Sequence, residues 1–378
     1  MRHLAQRSSP LSIFLALLAA CAGAPATPSA GLTPARRTDA PAPTAPSSRA
    51  PGRHHFAIRG ATLPGGRVAD VEVRDGRIVQ VGDVDASVES FDARGRFLVP
   101  AVIDSHVHLT YWPVADELAR SGVAAAVDLA APMSSLAEPS AVRLLASGPM
   151  ITAPSGYPVT SWGRGGYGLE VSNAGAAVDA VELLHARGAR VVKIPVTAAP
   201  VLDDATITAI VARAHELGMR VAVHALGDAE ALRAARLGAD VLAHTPVEPL
   251  SDETLAAWSG RAVIATLSAF GADAATLTNI ARLRSAGATV LYGTDLGNTR
   301  TPGIDAAELA AMHESGMDAS AILEAATHAP ALYWGLPELG DVEPGKAACL
   351  LLLARDPTTD PLALADPEVV FVDGERAS

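Results

Sequence analysis

Apolar, strand-like runs in this chain end repeatedly in residues that bind metal or move protons. Phe97-Leu98-Val99-Pro100-Ala101-Val102-Ile103 leads into Asp104-Ser105-His106-Val107-His108. Lys193 lies in Val191-Val192-Lys193-Ile194, and His224 ends Val221-Ala222-Val223. His244 ends Asp240-Val241-Leu242-Ala243, and Asp295 ends Val290-Leu291-Tyr292-Gly293-Thr294. Residues two apart on a strand point the same way, so His106 and His108 can face one ion together. A His-x-His pair alone is weak evidence, because a single histidine is easily satisfied within a core. Ionisable groups at so many strand ends are costly to bury unless they pair or bind metal. Together they point to a metal centre that activates water.

These residues need elements that bring them to one place. Strands are expected at 97–105, 122–129, 142–152, 189–195, 220–225, 240–245, 262–268 and 289–294, with helices between. The clearest helix follows Asp203 and Asp204, either of which can cap it. Ile207, Ile210, Val211, Ala214 and Leu217 share one face, and Gly218 can end it. Eight such units suggest a (β/α)₈ TIM barrel, whose chemistry sits at the C-terminal ends of its strands. A doubly wound open sheet has the same periodicity. The chain ends are β-rich instead. Val71–Arg74, a turn at Asp75-Gly76 and Arg77–Val81 read as a hairpin, and Leu350–Leu353 and Val369–Val372 resemble it. A small β-sandwich is therefore expected from residues 53–97 plus 338–376, with the barrel at 98–337 between them.

The 378 residues are 49% hydrophobic, enough for such a core, and the net charge of −12 disfavours nucleic acid as a partner. The expected partner is a small-molecule substrate. Residues 1–21 read as an export signal: Arg2 and Arg7, then an apolar run from Leu11 to Ala20 too short to span a bilayer. Leu18-Ala19-Ala20-Cys21 resembles a bacterial lipobox, which implies a lipid on Cys21 and contact with a membrane of the cell envelope only through that anchor. An ordinary secretory signal cleaved nearby is the alternative. Residues 22–52, rich in Ala, Pro and Ser, read as a flexible tether.

One loop stands out: Pro154-Ser155-Gly156-Tyr157-Pro158, then Trp162-Gly163-Arg164-Gly165-Gly166-Tyr167-Gly168. Only 4% of the chain is aromatic, yet three aromatics fall here. Arg164 could hold a substrate carboxylate, and Tyr157 or Tyr167 could donate to an oxyanion. Asn298 and Arg300, after the last strand, are weaker candidates. A structural Gly-rich lid is the alternative. His185, His215 and His313 fall in expected helices, His54 and His55 abut the tether, and His328 follows a helix, so none is expected to bind metal.

From about residue 55 to 375 the chain resembles the amidohydrolase superfamily. The matching features are Asp104-x-His106-x-His108, Lys193, His224, His244 and Asp295, then Ala325-Ala326-Thr327-His328-Ala329-Pro330-Ala331, Gly340 and Pro344-Gly345-Lys346. The chain departs where Ala101 replaces a usual glycine and where Ala348-Cys349 replaces Ala-Asp. The resemblance implies two divalent ions, zinc foremost, with manganese, iron or cobalt able to serve. His106, His108 and Asp295 would hold one ion, and His224 and His244 the other. Lys193, carboxylated by CO₂, would bridge them, and burial would favour the free amine this needs. Asp295 would serve as general base, then acid. The implied activity is hydrolysis of an amide, dipeptide or cyclic amide. The pattern resembles the imidazolonepropionase-related and Xaa-Pro-dipeptidase-like groups, and Lys193 favours the latter. Deamination, lactone or ester hydrolysis, and a catalytically silent ligand-binding lipoprotein are the alternatives.

Overall fold

The computed structural model describes residues 54–377. The expected signal with Cys21, and the tether, lie outside the described residues. Five parallel strands follow one another in order: Val191–Pro195, Arg220–His224, Val241–Leu242, Ala262–Ile264 and Thr289–Leu291. Three more, Val102–Val107, Val123–Asp128 and Arg143–Ala146, form a second parallel sheet. Apolar runs without alternation suit these strands, most of which are buried on both faces.

The first and last of these strands are stitched beyond the regular ladder. Ser105 N donates to Tyr292 O at 2.9 Å, Asp295 N to His106 O at 2.8 Å, and His108 N to Leu296 O at 2.6 Å. At the other seam, Arg190 N donates to Ala146 O at 3.0 Å. The result is an α/β fold of the TIM-barrel type, with its regular ladders divided into three and five strands.

Helices cover the outside. Asp203 caps the helix Asp204–Glu216 by accepting from Thr206 N at 2.8 Å. Ile207, Ile210, Val211 and Ala214 are buried and Leu217 half-buried, on the face the sequence indicates.

Most expected strands are trimmed at their ends, as 240–245 is to Val241–Leu242 and 289–294 to Thr289–Leu291, and three are split or turned aside. The 97–105 run serves two sheets: Phe97–Pro100 pairs antiparallel with Leu350–Leu353, and Val102–Val107 enters the barrel-type core. Between them, Ala101 N makes a last bond to Cys349 O at 2.9 Å. The 142–152 run breaks at Gly148, whose φ of +64° is left-handed, leaving Arg143–Ala146 and Met150–Thr152. The 262–268 run stops at Ile264. Thr266 turns left-handed at φ +43°, and Ser268–Phe270 forms a short 3₁₀ turn.

The chain ends meet in one eight-stranded sheet. Its order is Glu375–Arg376, Pro367–Val372, Leu350–Leu353, Phe97–Pro100, His55–Thr62, Val68–Arg74 and Arg77–Gly82, with Ser90–Asp92 beside His55–Thr62. Phe56 and Phe371 lie three strands apart, about 14 Å in a flat sheet, yet their rings stack at 5.6 Å. The sheet therefore curls around its own core, which includes Ile58, Val71, Leu98, Leu350 and Leu352. The sequence suggested two stacked sheets; one curled sheet is found.

Candidate metal centre

Ligand-type atoms of His106, His108 and Asp295 lie within 4.8 Å of one another, and all three residues are buried. Asp295 Oδ1 is 3.1 Å from His108 Nε2 and 3.6 Å from His106 Nε2. Each imidazole is aimed by its other nitrogen: His106 Nδ1 is 2.7 Å from Ala243 O, and His108 Nδ1 is 3.2 Å from Ala130 O. These contacts leave Nε2 of both rings for the centre. Asp295 has a left-handed φ of +54°, uncommon for a residue with a side chain. Asn298 Nδ2 holds it by donating to Oδ1 and Oδ2 at 3.1 and 3.2 Å.

His244, His224 and Lys193 stand next to this trio. The His106 and His244 rings are 4.5 Å apart, and those of His224 and His244 are 4.9 Å apart. Lys193 is fully buried, and its charge bears on His106, His224 and His244. Burial brings its ammonium down to about 7, with Asp295 pulling the other way. Burial also pushes His224 down to about 3 and holds His106 and His244 well below the usual imidazole range. The rings are therefore neutral, as metal ligation requires. His106 Nε2 and Lys193 Nζ are buried without a hydrogen-bond partner. Such orphaned groups are rare and call for an explanation. Metal ligation at one and carboxylation at the other would supply it, so the residues fit a divalent metal centre.

Several supports were not legible in the sequence. Asp104 Oδ1 accepts from His106 N and Thr294 N at 3.0 and 3.1 Å, and its Oδ2 from Thr294 Oγ1 at 2.6 Å. One carboxylate thus ties the strand of His106 to the strand of Asp295, and burial raises it to about 7. Buried Asp128, raised to about 6, accepts from Leu109 N at 3.0 Å just after His108. Gly293 permits the close approach of these strands: a Cβ there would lie 2.4 Å from Ile264 Cγ2 and 3.1 Å from His106 N.

The mouth is aromatic. Tyr157 stacks on His224 at 4.7 Å, and its hydroxyl accepts from Trp162 Nε1 at 2.8 Å. Trp162 lies 5.2 Å from His108, and Phe270 lies 4.9 Å from His244. Phe270 and Tyr111 carry no sequence signal beyond the scarcity of aromatics. Of the residues proposed to touch substrate, only Tyr157 and Asn298 contact a candidate ligand. Tyr167 is buried behind Trp162 and Tyr111. Arg164 is exposed and donates to Thr160 O in its own loop. Arg300 is exposed at the rim, over the Trp112 ring at 4.4 Å and Tyr111 at 5.4 Å.

Comparison with known proteins bears on the fold and the family. An uncharacterised protein of Mycobacterium tuberculosis is 26% identical over 374 residues, spanning 87% of this chain and 96% of the relative. A crystal structure of a Xaa-Pro dipeptidase with bound methionine in the active site superposes with a TM-score of 0.73 at 21% identity, covering 85% of this chain and 99% of that one. Phenylurea hydrolase B gives a TM-score of 0.70 at 21% identity, covering 85% and 96%. At such identity the two structures speak for the fold alone. The family model described as the amidohydrolase family matches residues 97–377. With that match over most of its length, the chain belongs to the amidohydrolase family and is a hydrolase of carbon–nitrogen bonds.

Proposed function

We propose that the protein hydrolyses an amide, a dipeptide or a cyclic amide at a centre of two divalent ions. The observation that carries this reading is Lys193, a buried amine without a partner among neutral histidines. His106, His108 and Asp295 would hold one ion, His224 and His244 the other, with carboxylated Lys193 between them. Zinc suits this donor set, and manganese, iron or cobalt could replace it. When bound, such ions acidify water and polarise a carbonyl. Hydrogen bonds at both seams support one (β/α)₈ barrel as the frame.

The protein's own groups do the rest. Asp295 takes a proton from the attacking water and delivers it to the leaving nitrogen. Asn298 keeps that carboxylate turned towards the histidines. The Tyr157 hydroxyl accepts from Trp162, which leaves its own proton free for the oxygen of a developing tetrahedral centre. The aromatic wall excludes water and receives an apolar part of the substrate, and Arg300 at the rim suits a carboxylate. The test is a screen of metal-replete protein against dipeptides, N-acyl amino acids, hydantoins and lactones, with metal content measured on the same sample. Turnover of the amides with about two ions per chain is expected. Ion binding without turnover of any of them would favour a silent binder, and turnover of lactones alone an esterase.

The sequence also supports export and anchoring through a lipid on Cys21. Cys21→Ser should abolish partition into detergent; unchanged partition would refute the anchor.

A further inference from the structure

Glu308 is a carboxylate that the mechanism above does not use. It lies in the helix Ala306–Glu314 and is fully buried. Both oxygens are engaged by backbone: Leu267 N donates to Oε1 at 2.8 Å and Ser268 N to Oε2 at 2.7 Å. Those two amides belong to the segment where the chain leaves the sheet, after the left-handed turn at Thr266. Without that acceptor the buried Leu267 N–H would be costly, and the half-buried Ser268 N–H would lose its partner. On one side of the clamp, Thr266 Oγ1 is 3.1 Å from His244 Nδ1. On the other, Phe270 places its ring against His244. The helix is itself fixed to the strand of Asp295, since Asp305 N, at its N-cap, donates to Tyr292 Oη at 2.7 Å.

We propose that Glu308 is a positioning residue for His244, holding the Thr266–Phe270 segment so that His244 Nδ1 stays engaged and Nε2 is kept for a metal ion. A carboxylate suits the task because it accepts from two adjacent N–H groups at once. Glutamine offers one acceptor and sets an NH₂ group against the second amide. The inference rests on the two-ion reading for one of its readouts and is independent of it for the other.

The experiment compares wild type, Glu308→Gln and Thr266→Ala by zinc and cobalt titration against a competing chelator, and by ¹⁵N ring signals of His244 in metal-free protein. Loss of Glu308 should weaken one ion by about tenfold or more, the scale for removing a group that orients a ligand, and leave the other in place. Thr266→Ala should weaken the same ion. Both variants should shift the His244 ring signals. Uniform weakening of both ions, or unchanged ion binding with unchanged ring signals, would overturn the proposal. Should Glu308→Gln fail to fold, Thr266→Ala decides: unmoved His244 signals overturn the role. A wild type that binds a single ion would instead sink the two-ion reading, and Glu308 would then stand or fall on the ring signals.

Discussion

The two halves of the candidate centre are built differently. His106, His108 and Asp295 come from the first and last parallel strands, which share backbone bonds and the Asp104 carboxylate. Their ligand atoms already converge, with a carboxylate against two imidazoles. Lys193, His224 and His244 come from three successive strands, the first of which carries a buried amine with no hydrogen-bond partner. One half is assembled by main-chain geometry. The other is held by side chains and loops that reach in from outside the strands, such as Tyr157, Thr266 and the Glu308 clamp. The first half should therefore tolerate loss of metal better than the second.

The sharpest break is Asp295→Asn. The amide keeps the shape and one coordinating oxygen, so most metal should remain while kcat falls at least about a hundredfold. Metal analysis beside steady-state kinetics checks this, and unchanged turnover would remove Asp295 from the mechanism. Next comes Lys193→Ala, which attacks the other half. Bound metal should drop from about two ions towards one, with partial rescue by short carboxylic acids, while the His106 side keeps its ion. Full occupancy without rescue would dissolve the distinction between the halves.

A gentler probe is pH in the metal-free protein. Lys193 falls from its ordinary 10.5 to about 7 in the fold. Between those values the unfolded chain binds one more proton, so stability rises with pH by up to about 1.4 kcal/mol per unit. Lys193→Met should flatten that slope, as thermal melts from pH 7 to 10 would reveal. The smallest effect is expected for Trp162→Phe. It removes one hydrogen bond to the Tyr157 hydroxyl, so kcat should fall only severalfold, the scale of one such bond, with KM little changed. A drop as large as that of Asp295→Asn would mean the aromatic wall does more than orient Tyr157.

The same contrast separates what was legible in the sequence from what was not. His106, His108, His224, His244 and Asp295 stood out because each ends an apolar run, a local signal. Lys193 was legible as an amine set among β-branched residues. Asp104 lay in plain view within the His-x-His motif, but its bonds to Thr294 depend on closure across the sheet. Glu308 follows Asp305-Ala306-Ala307, and an acid there looks like an ordinary first-turn residue. Arg164 looked like a binding group because of its neighbours, yet its loop turns it to solvent. Strand ends were misread where a single conformation, such as that of Gly148 or Thr266, stops a run that stays apolar beyond it.

The curled terminal sheet also has a consequence for biogenesis. Arg77, in an early hairpin, bonds to Gly345 O across 268 positions. Leu350–Leu353, which pair with Phe97–Pro100, are synthesised at least 250 residues later. Until they arrive, the apolar face of the opening strands has nothing to close on. Pairing over such distances is slow to form, so this sheet closes late. A polypeptide cut short before Leu350 should therefore leave the edge of Phe97–Pro100 unpaired, which limited proteolysis of the truncated chain would reveal.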